Sequence, residues 1–296
     1  MILKKSMTRY LYYTSMPLIA LLAALSLACI VGYFVVQLLG DLISFRQIIN
    51  RLAQLFLVLS IFPAMAYLKI DKTELGFAPR PMFLKQLLQG FLLGFVTLMP
   101  VFIVLYILGV NVIDEEQLWT TEFLAKQIII NLLIALLISS IEEPLFRGIL
   151  LTSLSKKLST AAAIIISSTY YAGLHFFSSK TDIPLQDITL LSGFKLLAEA
   201  FSNLWNTEII SAFLALLMVG IFLGVLRTQT KASLGLCIGC HTCWVWQIKM
   251  SKKLFNTDFS SQYIDLVSSY DGVVGPLVAC WLMLAISGYF AYQRLR

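Results

Sequence analysis

The chain has 296 residues, a net charge of +6, 59% hydrophobic side chains and only 13% charged ones. A soluble domain carries about a quarter charged residues and could not hide this much apolar surface from water. Mean hydropathy of +0.85 therefore assigns most of the chain to lipid. No Lys/Arg run exceeds two residues, so the positive charge reads as loop charge and no nucleic-acid partner is expected. The five cysteines all lie in apolar surroundings and form no secreted disulfide framework.

A spanning helix needs about 20 mostly apolar residues. Eight segments reach or approach that length: 17–39, 48–68, 87–110, 128–152, 161–179, 209–226, 234–248 and 273–292. The expected fold is all-α: one integral membrane domain, 1–296, built as a polytopic bundle of about eight transmembrane helices, with a site in an intramembrane cavity. The first segment follows Lys4, Lys5 and Arg9 but is too long for a signal-peptide core. Ser26-Leu27-Ala28-Cys29 resembles a lipoprotein cleavage box only faintly. Thirteen bases fall on the N-terminal side of the membrane against eight on the other. That bias puts both termini in the cytoplasm of a cell (inner) membrane protein.

The connection before the sixth segment has a pattern of its own. Leu190, Leu191, Phe194, Leu197, Phe201, Leu204 and Trp205 recur at three- and four-residue spacing, with Ser192, Lys195, Glu199 and Ser202 opposite. Such a helix either lies on the membrane surface or forms a lid packed over the bundle.

Ionisable groups inside a span are costly, so each is a functional candidate. Of sixteen acids, only Glu142 and Glu143 fall within a predicted span; of twenty-two bases only Arg147 lies deep in one, Arg51 being three residues from the start of its segment. The only two histidines, His175 and His241, are both intramembrane. The fourth and fifth segments form a hairpin turning near residues 157–158. At 1.5 Å per residue, Glu142 and His175 then sit at nearly the same depth, within roughly 3 Å. His241, seven residues into its segment, comes out shallower unless that helix begins near Thr230. Glu142 and Glu143 are about 100° apart, and Arg147 is one turn after Glu143, so Glu143–Arg147 is expected as a buried pair with Glu142 free for the cavity. Pro144 removes a backbone donor and loosens the helix at this point.

Glu142-Glu143-Pro144-Leu145-Phe146-Arg147 fits EExxxR, Tyr171-Ala172-Gly173-Leu174-His175 fits (F/Y)xxxH, and His241 takes the place of a third-motif histidine. Over residues 125–248, as a protease-like core, the chain resembles the CPBP intramembrane protease family, which includes type II CAAX prenyl endopeptidases and bacteriocin-processing or immunity proteins. The resemblance implies a hydrolase that cleaves a peptide bond of a membrane-associated protein or peptide. It implies Glu142 as the base on a water, His175 holding that water, His241 stabilising the oxyanion, and Glu143, Arg147, Tyr171 and Trp244 in support. No cofactor is required in that scheme. Members have also been labelled metalloproteases, and Glu142, His175 and His241 plus a water match a catalytic zinc stoichiometry, though HExxH is absent. The family's third motif is HxxxN, whereas here Val245 stands where Asn would be. One lost oxyanion donor costs 10²–10³ in rate, and Trp244, Thr242 or Gln247 are the available substitutes.

Three other readings compete. A membrane scaffold or immunity protein of the same fold would keep the bundle without turnover. A transporter could use the Glu/His set as a proton relay. Cys237-Ile238-Gly239-Cys240-His241 matches the CxxCH haem attachment motif, but it lies within an apolar helix, where Cys237, Cys240 and Cys243 read better as small residues that let helices approach.

Overall fold

The computed structural model describes residues 2–117, 119–229, 232–270 and 272–295, with backbone alone for 2–9. Of the charges used for orientation, the side chains of Lys4, Lys5 and Arg9, together with Lys231 and Arg296, lie outside the described residues. So does Thr230. The protein is all-α apart from one short antiparallel pair, β1 (Asn111–Ile113) with β2 (Phe255–Thr257). Its helices are α1 (Ile2–Leu39), α2 (Phe45–Leu59), α3 (Ile61–Leu68), α4 (Arg80–Ile107), α5 (Thr121–Glu143), α6 (Leu151–Ser155), α7 (Thr160–His175), α8 (Ser192–Asn203), α9 (Ile210–Thr228), α10 (Leu234–Leu254) and α11 (Pro276–Leu295). A π-helical turn, Pro144–Leu150, separates α5 from α6.

Local chemistry sets the boundaries. Ser44, Thr120 and Ser159 cap α2, α5 and α7 by accepting a backbone N–H with their side chains. The predicted segment 48–68 is two helices, α2 and α3, meeting at Ser60. Among the described residues six helical stretches, not eight, are long and apolar enough to cross a membrane. The two that fall short are α7, which is only 16 residues long, and α10, which carries the polar residues of the site.

The most buried helix is α10, clasped between α4 and α5. Its contact with α4 is glycine-mediated on both sides. A Cβ at Gly90 would lie 2.1 Å from the Leu236 carbonyl, and one at Gly239 2.1 Å from the Leu87 carbonyl. Gly94 abuts Cys240, and Gly235 abuts Phe83 and Gln86. Paired small-xxx-small stripes let the two backbones touch, and this is how helices gain packing energy in lipid. Cys237, Cys240 and Cys243 are free and buried; Cys240 and Cys243 abut Gly94 of α4, whereas the Cys237 thiol faces the Leu223 carbonyl of α9.

Two expectations about position need correction. The segment expected at 234–248 continues to Leu254, and it begins at Leu234 rather than near Thr230. Its first turn is nevertheless sunk in the protein: Ser233 and Leu234 are fully buried, and the Leu234 N–H donates to the Gly76 carbonyl. His241 Nε2 comes within 3.9 Å of Glu142, so the two residues lie at one level although His241 is only seven residues into α10. The 190–205 amphipathic pattern also divides differently. Ser192, Gly193, Leu196 and Ala200 form the buried face of α8, packed on α1 with Gly193 against Cys29, whereas Leu190, Leu191 and Trp205 are exposed. Glu199 of α8 accepts from the Ser179 hydroxyl and the Lys180 N–H, which ties down the preceding loop.

Candidate active site

A stripe along α5 faces α10: Asn131, Ala135, Ser139 and Glu143, each one turn apart and all buried. Ser139 pairs with Thr242, so the two helices are registered one turn before the carboxylates. Glu143 is the end of that stripe and is fully buried. Its Oε1 accepts from His241 Nδ1 at 2.8 Å and sits 3.4 Å from Arg147 Nη1. The expected Glu143–Arg147 contact is present, but Glu143 has a second partner the sequence reading missed. It holds the His241 imidazole. With Nδ1 donating to a carboxylate, Nε2 is left as the outward-facing ring atom.

That atom meets Glu142. Its Oε2 lies 3.9 Å from His241 Nε2, beyond direct hydrogen-bond distance, with the side chain 28% exposed. The 100° step between adjacent residues explains the division: one carboxylate orients the histidine from inside, and its neighbour approaches the same ring from the side. Glu142 Oε2, Glu143 Oε2 and both terminal nitrogens of Arg147 are buried without a hydrogen-bond partner from the protein.

Tyr171 is the plate on which the groups are assembled. Its buried ring has the Arg147 guanidinium 4.2 Å from its centroid, His175 at 4.6 Å, Phe146 at 5.2 Å and His241 at 6.1 Å. This gives the aromatic-xxx-His spacing a physical meaning: the ring and the histidine one turn later stack on one face of α7. His175 Nδ1 donates to the Tyr171 carbonyl at 2.8 Å, which fixes the tautomer and leaves Nε2 available. His175 is the last residue of α7, so the predicted 161–179 helix stops short there. The π turn supports Arg147, and its Phe146 carbonyl accepts from both the Leu151 N–H and the Ser167 hydroxyl of α7. Pro144 opens it, as the missing donor predicted, and π segments recur at functional sites.

A cavity of about 410 Å³ opens from the two imidazoles. Tyr171, His175, His241 and Val245 are in its lining, together with Lys249, Lys252 and Tyr270, and Leu98, Val101, Leu216 and Val219 form part of its apolar wall; the Tyr270 hydroxyl donates to the His175 carbonyl. Glu142 stands beside His241 on the α5 side and is not itself in the lining. Lys249 and Lys252 escaped the sequence reading, although Lys249 is one turn beyond Val245 and two beyond His241 on the same helix.

The three suggested replacements for the missing Asn are all engaged. The Trp244 indole donates to Thr97, the Thr242 hydroxyl donates to the Ile238 carbonyl, and the Gln247 amide donates to the Gly94 carbonyl. Trp244 therefore ties α10 to α4 through its indole N–H while its ring lines the cavity. A resident zinc does not fit either: among the described residues no three His, Cys, Asp or Glu side chains converge as a ligand set. The CxxCH cysteines are likewise buried in helix packing, with no room for a macrocycle beside Gly90 and Gly94.

No curated protein and no solved structure is similar enough to the chain to count as a match. A family model does match: residues 122–247 fit the family described as type II CAAX prenyl endopeptidase Rce1-like. The match covers both carboxylates, Arg147, Tyr171 and both histidines, and it ends two residues beyond Val245. Residues 122–247, somewhat less than half of the chain, are therefore similar to the Rce1-like family, a family of proteases.

Proposed function

We propose that the protein is an intramembrane endopeptidase, formed by the whole chain as one integral membrane unit that crosses the bilayer eight times with both termini cytoplasmic. In this reading α7 and α10 are the two additional crossings, shielded from lipid by their neighbours. A water held between Glu142 and His241 Nε2 gives its proton to the Glu142 carboxylate and attacks the scissile carbonyl presented in the cavity. Glu142 then returns the proton to the leaving amine. Glu143 keeps His241 in the tautomer whose Nε2 faces the reacting atoms, and Arg147 holds Glu143 in place. His175 Nε2 is the second group poised over the cavity end, and Tyr171 positions both rings. No metal takes part in any of these steps.

The observation that carries this reading is the Glu143–His241–Glu142 alignment: 2.8 Å on one side of the imidazole and 3.9 Å on the other. Its test is a trap. Glu142→Gln keeps the shape and removes the base, so the full-length variant should co-purify with an uncleaved membrane partner that the parent releases. A second reading, a scaffold of the same fold with little turnover, is favoured by the engaged side chains of Trp244, Thr242 and Gln247 around Val245. In that case Glu142→Gln binds the same partners as the parent, with no difference in their integrity. A transporter would show pH-driven uptake in proteoliposomes, which the peptidase does not.

A further inference from the structure

A second and larger cavity lies away from the imidazoles. It is a groove of about 890 Å³ between α1, the α2–α3 pair and the hairpin of the π turn, α6 and α7. Its volume is in the range of built ligand sites. Most of its length is apolar, with Met16, Leu21, Leu57, Leu145, Leu150 and Leu174 among its walls. Along α1 it runs from Tyr12 to Leu21, about 14 Å at the helical rise. One end is different: Lys69, Lys156 and Lys157 stand there, with Tyr12, Tyr13 and Tyr67 beside them. This is the end of the bundle where α3 and α6 finish, the side that the charge count assigns to the cytoplasm.

The charges at that end are unevenly committed. Lys156 pairs with Glu74 at 3.0 Å. Among the described residues, Lys69 and Lys157 have no acid within 4 Å, and both are exposed. Among the described residues Lys69 is also the one non-glycine at positive φ, capping α3 at φ 50°. Gly or Asn fills that cap at less cost, so the lysine is placed against its backbone preference. Nothing in the Glu142–His241 machinery uses any of these residues.

From the union of a largely apolar slot and a cationic rim at headgroup height, we infer that the groove is a fixed binding site for an anionic phospholipid. One acyl chain lies along α1, and the phosphate sits between Lys69 and Lys157. An acyl chain in this slot touches Leu145 and Phe146 of the π turn, so the lipid braces the turn that carries Arg147.

The test is native mass spectrometry of the full chain in detergent, with phosphatidylglycerol or phosphatidylcholine of matched chains added in turn. A basic residue near an anionic headgroup is worth about fivefold in affinity, so two free lysines predict roughly thirtyfold preference for phosphatidylglycerol. Lys69→Ala with Lys157→Ala should erase the preference while leaving weak binding of both lipids. Ala20→Trp, on an exposed groove-lining position of α1, should exclude both. Inorganic phosphate at equal concentration should not compete with the lipid. Equal retention of the two lipids by the parent, an unchanged preference in the double lysine variant, or undiminished lipid in Ala20→Trp would each overturn the assignment. Effective competition by free phosphate would also overturn it, because the rim alone would then be the site. Both lysines are exposed, so their removal leaves the fold intact.

Discussion

The Glu143–Arg147 pair offers the sharpest energetic test of how the site is held. Arg147 is 1% exposed and Glu143 not at all, and their charged atoms are 3.4 Å apart. At an effective dielectric of about 20, that separation corresponds to about 5 kcal/mol of attraction, most of it needed to offset desolvation. Arg147→Met keeps the volume over the Tyr171 ring but strands the carboxylate with only His241 beside it. Breaking one partner of a buried pair costs about 3–5 kcal/mol, and the Arg–Tyr171 contact at 4.2 Å adds of order 1 kcal/mol. Removing both charges, in Arg147→Met with Glu143→Gln, should recover much of that loss, because neutral side chains need no counterion. The assay is reversible unfolding in mixed micelles of all four members of the cycle. A coupling energy above about 2 kcal/mol is expected. Coupling within about 0.5 kcal/mol of zero would refute the claim that Arg147 exists to neutralise Glu143, and with it the account of how His241 is oriented.

Three further expectations follow from separate parts of the molecule. Val245 lines the cavity one turn from His241, so Val245→Asn should fold and raise the cleavage rate at least tenfold, as an added oxyanion donor would; a misfolded variant would mean that the position packs against apolar neighbours instead. Gly90→Leu or Gly239→Leu should abolish monodisperse protein in size-exclusion chromatography, because each new Cβ would stand 2.1 Å from a facing carbonyl. Gly173→Ala, with nothing within 4 Å of its Cβ, should behave as the parent. In the loop after α7, the hydrogen bond from the Ser179 hydroxyl, joined by the Lys180 N–H, holds the Glu199 carboxyl below the usual range. A depressed carboxyl stabilises the loop above the ordinary glutamate pKa of about 4.3, and the contribution is lost as pH falls through the lower folded value. Amide protection at Lys180, corrected for intrinsic exchange, should therefore drop on acidification below about pH 4 in the parent and stay flat in Glu199→Gln.

How much of this was legible beforehand depended on which physical signal each feature leaves in the chain. The rarity of intramembrane charge pointed straight to Glu142, Glu143, Arg147, His175 and His241, because lipid makes such residues conspicuous by cost. Pro144 announced the irregular turn, since a missing N–H has only local consequences. The partner of Glu143 was not legible: i,i+4 spacing identifies Arg147 on the same helix, whereas His241 comes from a helix 98 residues later. Depth along α10 failed for a related reason. Helix length measures distance from the first helical residue, and here that residue is buried under the loop at Gly76. The glycine stripes of α4 and α10 were visible as GxxxG spacings, yet only the facing backbones reveal which stripe meets which. The side chains considered as substitutes for Asn were all taken up by α4, α5 or their own helix, competition that no single-helix pattern records.

The central claim is that Glu142 turns a water into the nucleophile. It is tested most directly by adding purified full-length parent or Glu142→Gln to membranes of the producing cell and labelling every new N-terminus for mass spectrometry. General-base catalysis contributes about 10²–10⁴ in rate. The account therefore predicts a defined set of new termini at membrane-proximal peptide bonds with the parent, reduced at least a hundredfold with the variant. The same termini at comparable yield from both proteins, or none from either, would contradict it.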